Sequence, residues 1–244
     1  MDQVLEDKVL RSCDHIVTVS PALRRLFMDK GHDQVTTIFN GYDDADFVDL
    51  RLNKTKGVFR ILYTGSLRES QIPYQFLRAF KRLCDYEVDQ KIQLEFYGSV
   101  HPDLHTFCEE IDVLDHIIFH GYISHTEIVS QICSADLLLL IIPNKEQNEG
   151  ILTGKLFEYL GSGIPIVGIG PKNGDAASIL STIDVCQFYE FEEDMTSELI
   201  QVYDRLKSKE TEPYAPPLEY TRKNQTKELS ALLNELVNIK SKSN

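Results

Sequence analysis

No stretch of this chain is apolar for long enough to cross a membrane; runs such as Leu137 to Pro143 stop well short of the ~20 residues a spanning helix needs. Positive charge is scarce: 25 Lys and Arg stand against 38 Asp and Glu, a net charge of −13. That balance argues against nucleic acid as a partner and against adhesion to anionic lipid surfaces. It leaves room for a small anionic ligand held by local cations, without long-range steering toward it. Cysteines are few and unpatterned: the five (Cys13, Cys84, Cys108, Cys133, Cys186) are odd in number and lack metal-ligand spacing, so reduced core thiols in a cytoplasmic protein are expected. The start Met1-Asp-Gln-Val-Leu-Glu-Asp has no basic segment of the kind that opens a signal peptide. None of the seven histidines forms a His-x3-His pair, and Asp43-Asp-Ala-Asp46 reads as a solvated turn, so no metal site is expected. A Gly-x-Gly-x-x-Gly after a strand is missing, which counts against a dinucleotide-binding oxidoreductase. There is no internal repeat and no extended low-complexity region.

What the sequence does have is an alternation of short apolar runs with amphipathic stretches. Strands are expected at His15 to Ser20, Val35 to Phe39, Arg60 to Tyr63, Ile92 to Tyr97, Ile117 to His120, Asp136 to Ile142, Ile166 to Ile169 and Val185 to Phe188. Helices are expected near 3–13, 21–30, 72–85, 102–112, 125–133, 175–181, 192–207 and 217–239, with a break at Glu212-Pro-Tyr-Ala-Pro-Pro217. Strands alternating with helices of this length predict an α/β fold with a doubly wound parallel sheet. The run Leu137-Leu-Leu-Leu-Ile-Ile142 fits a central strand covered on both faces. Ligands of such sheets bind outside the carboxyl ends of the strands. The loops Thr64 to Ser70, Gly98 to Pro102, Gly121 to Ser124 and Pro143 to Thr153 fall there.

One segment carries the most chemistry: Gly150-Ile-Leu-Thr-Gly-Lys-Leu-Phe-Glu-Tyr-Leu-Gly-Ser-Gly-Ile-Pro-Ile-Val167. It reads as loop, helix, glycine stop at Gly161 to Gly163, and buried strand. Thr153 is a suitable N-cap. The amides of Gly154, Lys155 and Leu156 then lie in the first turn without intrahelical partners, an anion site reinforced by the Lys155 charge. Glu158, four residues after side-chain-free Gly154, leans over the helix mouth and suits sugar hydroxyls. The same residues are equally consistent with an ordinary helix start, Lys155 and Glu158 forming a solvated i,i+3 pair.

Thr153 to Val167 resembles the donor-binding signature of the group 1 family of retaining, nucleotide-sugar glycosyltransferases with the GT-B fold. Asp14-His-Ile-Val-Thr-Val-Ser-Pro21, Ile38-Phe-Asn-Gly-Tyr-Asp43, Leu62-Tyr-Thr-Gly-Ser-Leu67, Phe119-His-Gly-Tyr-Ile-Ser124 and Ala135-Asp-Leu-Leu-Leu-Leu140 resemble further family blocks in the family's order. The resemblance implies that residues 58–244 are the C-terminal, donor-binding domain and residues 1–57 the tail of the N-terminal, acceptor-side domain plus a linker. It implies a nucleoside diphosphate sugar as donor, and a carbohydrate or lipid-linked acceptor bound through an N-terminal half whose bulk is missing. A further chain covering the exposed domain face is one consequence. The pathway it implies is polysaccharide or glycolipid assembly, with no bound metal.

By the same resemblance, the loop Gly150, Ile151, Leu152, Thr153 and Gly154, with Lys155, holds the donor diphosphate, and Glu158 binds the ribose. Glu158 matches the second Glu of the family's Glu-x7-Glu motif; the first falls at Gly150, and Glu149 sits one position off. Gly65 allows close approach of a phosphate, with Ser66 beside it. Arg68 is either a phosphate clamp or a surface arginine, since the Lys-Gly that follows in many family members is replaced by Gln71-Ile-Pro-Tyr. Gly98, Tyr122 and Ile123 would surround the base; Tyr97 reads as core, His120 and Asp136 as structural. Lys155, Arg68 and Glu149 are the candidates for assisting the chemistry. Other readings are a non-catalytic or degenerate nucleotide-sugar-binding half, another nucleotide-binding α/β protein, and a GT-B nucleotide-sugar epimerase.

Overall fold

The structure, a computed structural model, describes residues 3–48, 50, 56–208 and 214–243. An N-terminal unit contains α1 (Gln3–Ser12), β1 (Ile16–Thr18), α2 (Pro21–Asp29) and β2 (Val35–Thr37). The strands β1 and β2 pair in parallel as a two-stranded sheet. Ser20 caps α2 by accepting from Leu23 N–H, Pro21 opens the helix, and Gly31 follows it at φ +87°.

The main body runs β3 (Val58–Thr64), α3 (Tyr74–Tyr86), β4 (Lys91–Tyr97), α4 (Pro102–Glu110), β5 (Ile117–Gly121), α5 (His125–Ser134) and β6 (Leu137–Ile141). It continues through α6 (Gly154–Ser162), β7 (Ile166–Ile169), α7 (Asp175–Leu180), β8 (Gln187–Tyr189), α8 (Thr196–Lys207) and α9 (Arg222–Ser243). Six strands form one sheet in the order β5-β4-β3-β6-β7-β8, all pairs parallel. The expected doubly wound α/β fold is the observed one. In β6, Leu137, Leu139 and Ile141 enter the layer shared with α3, α4 and α8, while Leu138 and Leu140 enter the layer shared with α5, α6 and α7. A strand wetted on neither face needs that unbroken apolar run.

Several sequence expectations shift. The glycine stop is Gly163 alone, left-handed at φ +70°; Gly161 lies inside α6. A Cβ on Gly161 would sit 2.7 Å from ring atoms of both Tyr42 and Phe47, so this glycine serves a close crossing of the N-terminal segment over α6. The helix expected from 192 starts at Thr196, because Glu193 is drawn away to accept from Glu190 N–H and pair with Lys172 while Asp194 accepts from Thr196. The last helix starts at Arg222, five residues late, after a 3-10 turn over Leu218–Tyr220 behind Pro216 and Pro217, and it continues to Ser243. Four cysteines are buried thiols, but Cys13 is exposed. Of the expected linker, 49 and 51–55 lie outside the described residues, as do 209–213 at the expected break. No described helix is long and apolar enough to cross a membrane.

The N-terminal segment is tied to the main body at both ends. Tyr42 N–H donates to Tyr220 O (3.0 Å) and Arg222 N–H donates to Tyr42 O (2.8 Å). Ala22 N–H, in the first turn of α2, donates to Asp175 Oδ2 (2.8 Å).

Candidate functional site

The chain runs outward through β3, β4 and β5, then returns to lay β6 against the other side of β3. The order therefore reverses between β3 and β6, and a crevice opens past their carboxyl ends. Tyr159, fully buried on α6, closes the crevice floor: its hydroxyl accepts from Thr64 N–H (2.9 Å) and lies 3.2 Å from Thr64 Oγ1.

Beyond the strand ends the ladder continues as loop backbone. Gly65 N–H donates to Tyr97 O (2.7 Å), Gly98 N–H to Gly121 O (2.7 Å) and Leu67 N–H to Ser99 O (2.8 Å). Gly98 has φ +125°, and a Cβ there would stand 2.6 Å from Gly65 O, so the two loops touch only because glycine occupies the crossing. A cavity of about 420 Å³ opens above this crossing. The β3 and β4 loops contribute Thr64, Gly65, Ser66, Tyr97, Gly98 and Ser99 to its lining; Tyr122, Ile123, His125 and Ile128 follow from the β5 loop and α5, and Lys155 and Glu158 from α6. Ser99 Oγ donates to Ser66 Oγ (3.1 Å) at the entrance, and Tyr122 stands 91% exposed on the rim.

Lys155 is the dominant charge. Its Nζ lies 3.9 Å from the centroid of the Tyr63 ring, and a Cβ on Gly65 would meet that Nζ at 3.2 Å. Among the described residues the ammonium has no hydrogen-bond or ion-pair partner. Burial pushes its pKa down to about 8, with the Glu158 charge opposing only in part. Burial likewise holds the Glu158 carboxyl above its usual range, against His125 and Arg222. His125 is in turn held by Asp46 (Nε2 to Oδ2, 3.1 Å), so the Asp43 to Asp46 turn buttresses the cavity wall.

The remaining sequence candidates fall elsewhere or act differently. Thr153 occupies the N-cap position without a side-chain cap bond, and its buried Oγ1 has no partner. Leu156 N–H donates to Thr153 O (3.1 Å), which leaves the Gly154 and Lys155 amides as the open pair of the first turn. Gly150 is pressed against α2: a Cβ would stand 3.0 Å from Ala22 Cβ and 3.2 Å from Ser20 Oγ. Glu149 lies outside the cavity lining, and its carbonyl accepts from Asp175 N–H (2.7 Å). Leu152 is buried in the α6-side core, with Ile151 packed against it. Arg68 is exposed and also outside the lining. The Pro143 to Thr153 loop is thus an anchor, and α6 itself supplies the side chains. Tyr63 and His125 escaped the sequence reading; Tyr63 in particular looks like any core aromatic until the fold sets Lys155 over it.

Below the cavity sits a saturated ionic cluster. Arg60 donates to both carboxylate oxygens of Glu95 (2.5 and 2.9 Å), to Gln131 Oε1 (2.9 Å) and to Ser134 O (3.3 Å). Glu95 also accepts from Tyr97 Oη (3.0 Å) and pairs with His120 Nε2 (2.9 Å). His120 is the extra residue of a bulge between β4 and β5, which lays its ring on Tyr97 at 4.1 Å between centroids. His120 and Asp136, whose Oδ2 accepts from Arg60 N–H (2.9 Å), serve the framework.

A doubly wound parallel sheet with this cavity at its reversal point is the Rossmann-like half of the GT-B glycosyltransferase fold. Sucrose-phosphate synthase from Thermosynechococcus elongatus matches over 97% of this chain and 61% of its own, with a TM-score of 0.69 and 13% identity. The pneumococcal O-GlcNAc transferase GtfA, solved with UDP and GlcNAc, matches over 92% of this chain and 45% of its own (TM-score 0.68, 13% identity). HepE from Anabaena, solved with UDP-glucose, matches over 85% and 58% (TM-score 0.63, 14% identity). At such identities the likeness is one of fold, and the chain spans between 45% and 61% of the length of these three proteins. No family model and no curated protein sequence matches it.

Proposed function

We propose that the chain is the nucleotide-sugar-binding portion of a retaining glycosyltransferase, which moves a sugar from a nucleoside diphosphate to an acceptor hydroxyl. The observation that carries this reading is Lys155: a half-buried ammonium without a hydrogen-bond or ion-pair partner among the described residues, beside the Gly65 loop, at the reversal point of the sheet. A diphosphate there would lie over Gly65 and take the open Gly154 and Lys155 amides together with the Lys155 charge. The ribose hydroxyls would reach Glu158, and the base would lie toward Gly98, Ile123 and Tyr122. As the bond from the sugar's anomeric carbon to the diphosphate breaks, negative charge grows on the leaving oxygen. Lys155 is placed to stabilise it, and the reading needs no resident metal. Arg68 would assist only by folding inward from the rim. The bound structures of GtfA and HepE lend support by fold analogy.

The other half of such an enzyme would complete the acceptor site, so this chain alone would bind donor and turn over poorly. Polysaccharide or glycolipid assembly is the setting the reading favours. The test is calorimetric titration with UDP, GDP and ADP, in EDTA, on wild type and Glu158→Ala. Binding of one diphosphate, weakened by the substitution, supports the site and identifies the base. A folded chain that binds none of them overturns it. A second reading, a nucleotide-sugar-binding module without catalysis, is favoured by the position of Glu149 outside the cavity. Sugar transfer or donor hydrolysis by a version carrying both halves would exclude that module.

A further inference from the structure

A second cavity, of about 450 Å³, lies on the far side of Glu158. It is enclosed by residues 38–41 after β2, the first turns of α6, and the first two turns of α9. Glu158 belongs to both cavities, so its side chain forms part of the wall between them, while Gly154 faces the second.

The chemistry of this second cavity differs from that of the first. Its apolar surface comes from Ile38, Phe39 and Leu229, and Phe39 is held edge-on to Tyr220 at 5.4 Å between centroids. Its polar groups combine donors, chiefly Arg222, with acceptors on Glu158 and Gln225. Gln225 is 7% exposed; its Nε2 donates to Glu219 O, and its buried Oε1 has no partner. Arg222 spends its Nε–H on Gly41 O (3.2 Å). A buried amide oxygen left unsatisfied is destabilising, and a ligand donor would relieve that cost. An apolar ligand would leave that oxygen orphaned. An anion would meet Arg222 as well as Glu158, but it brings no donor for Gln225 Oε1. Hydroxyl donors on a neutral ring with an apolar C–H face answer all three conditions.

We propose that this cavity is a subsite for an uncharged sugar unit, whose C–H face lies on Phe39 and Leu229 and whose hydroxyls donate to Gln225 and Glu158. That this sugar is the acceptor rests on the donor reading of the neighbouring cavity; that a sugar binds here does not. Contact with the inaccessible Gln225 Oε1 requires the carboxamide to turn toward the cavity, away from Glu219 O.

The test is saturation-transfer NMR with the methyl glycosides of glucose, galactose, mannose and N-acetylglucosamine, beside a parallel UDP, GDP and ADP titration. It uses wild type, Gln225→Leu and the space-filling Leu229→Trp, each with its melting transition recorded. The expected result is transfer to at least one glycoside, about tenfold weaker or lost in both folded variants. Binding of a nucleotide without any glycoside overturns the proposal and leaves the donor reading standing. Glycoside binding untouched by both substitutions overturns the placement. Glycoside binding without nucleotide keeps the subsite and removes the acceptor role. Neither ligand binding to the folded chain defeats both readings.

Discussion

Two cations, Arg60 buried on β3 and Lys155 half-buried on α6, have opposite surroundings. Arg60 is fully engaged by Glu95, Gln131 and Ser134, and its hydrogen bonds to Glu95 raise its pKa even against burial. Burial alone would push Glu95 up, but Arg60, Tyr97 and His120 bring it below the usual carboxylate range. Lys155 has an aromatic face and an uncovered side, and burial lowers its pKa to about 8. A cation that serves the framework is saturated by the framework. One left unsaturated in a cleft keeps its field for something the chain does not supply.

Substitutions separate the two roles. The largest effect is expected for Arg60→Met, which leaves the Glu95 carboxylate buried without its main partner: urea unfolding should show a loss of about 3–5 kcal/mol. Lys155→Met should instead weaken nucleoside diphosphate binding by roughly ten- to a hundredfold, the worth of about 1.5–3 kcal/mol of charge-assisted bonding. Its melting temperature should hold or rise, because an unpaired half-buried charge is removed; a fall of many degrees would place Lys155 with the framework. Tyr97→Phe, which removes one donor from Glu95, should cost about 1 kcal/mol in the same urea experiment.

The smallest effect is a drift with pH. Between pH 8 and 10.5 the unfolded chain holds the Lys155 proton and the folded chain has released it, so stability without ligand should climb as pH rises through that window. Nucleotide affinity should decline over the start of the same window as the ammonium is lost. Thermal melts with and without saturating nucleotide would therefore diverge below pH 8 and converge above it. Parallel curves would sever the link between Lys155 and the ligand.

Local patterns carried the fold further than the site. The unbroken run in β6 and the Ser20-Pro21 cap are local signals, and both describe the structure. The glycines were harder, because one residue type has several uses. Gly163 answers to its own φ, whereas Gly161 answers to Tyr42 and Phe47, more than 110 residues away in sequence. Thr153 has the right chemistry and the right position for a cap, yet its hydroxyl faces no amide. At the site, the segment around Lys155 and Glu158 was legible because helix-mouth chemistry is local. The cradle of Lys155 was not, because Tyr63 and Gly65 reach it only through the pairing of β3 with β6. The family resemblance marks Glu149 and Gly150 as ligand contacts, whereas in the structure their loop lies against Ala22 and Asp175.

Tyr42 is bonded through its main chain to both Tyr220 and Arg222, so the strand entering this domain and the helix leaving it cross at a single rung. That crossing is one pivot of the N-terminal segment, beside its contacts from Ala22 to Asp175 and from Asp46 to His125. Because Gly41 and Arg222 also border the second cavity, that pivot lies in its wall. What fills that cavity therefore presses on the same backbone that joins the N-terminal segment to the start of α9.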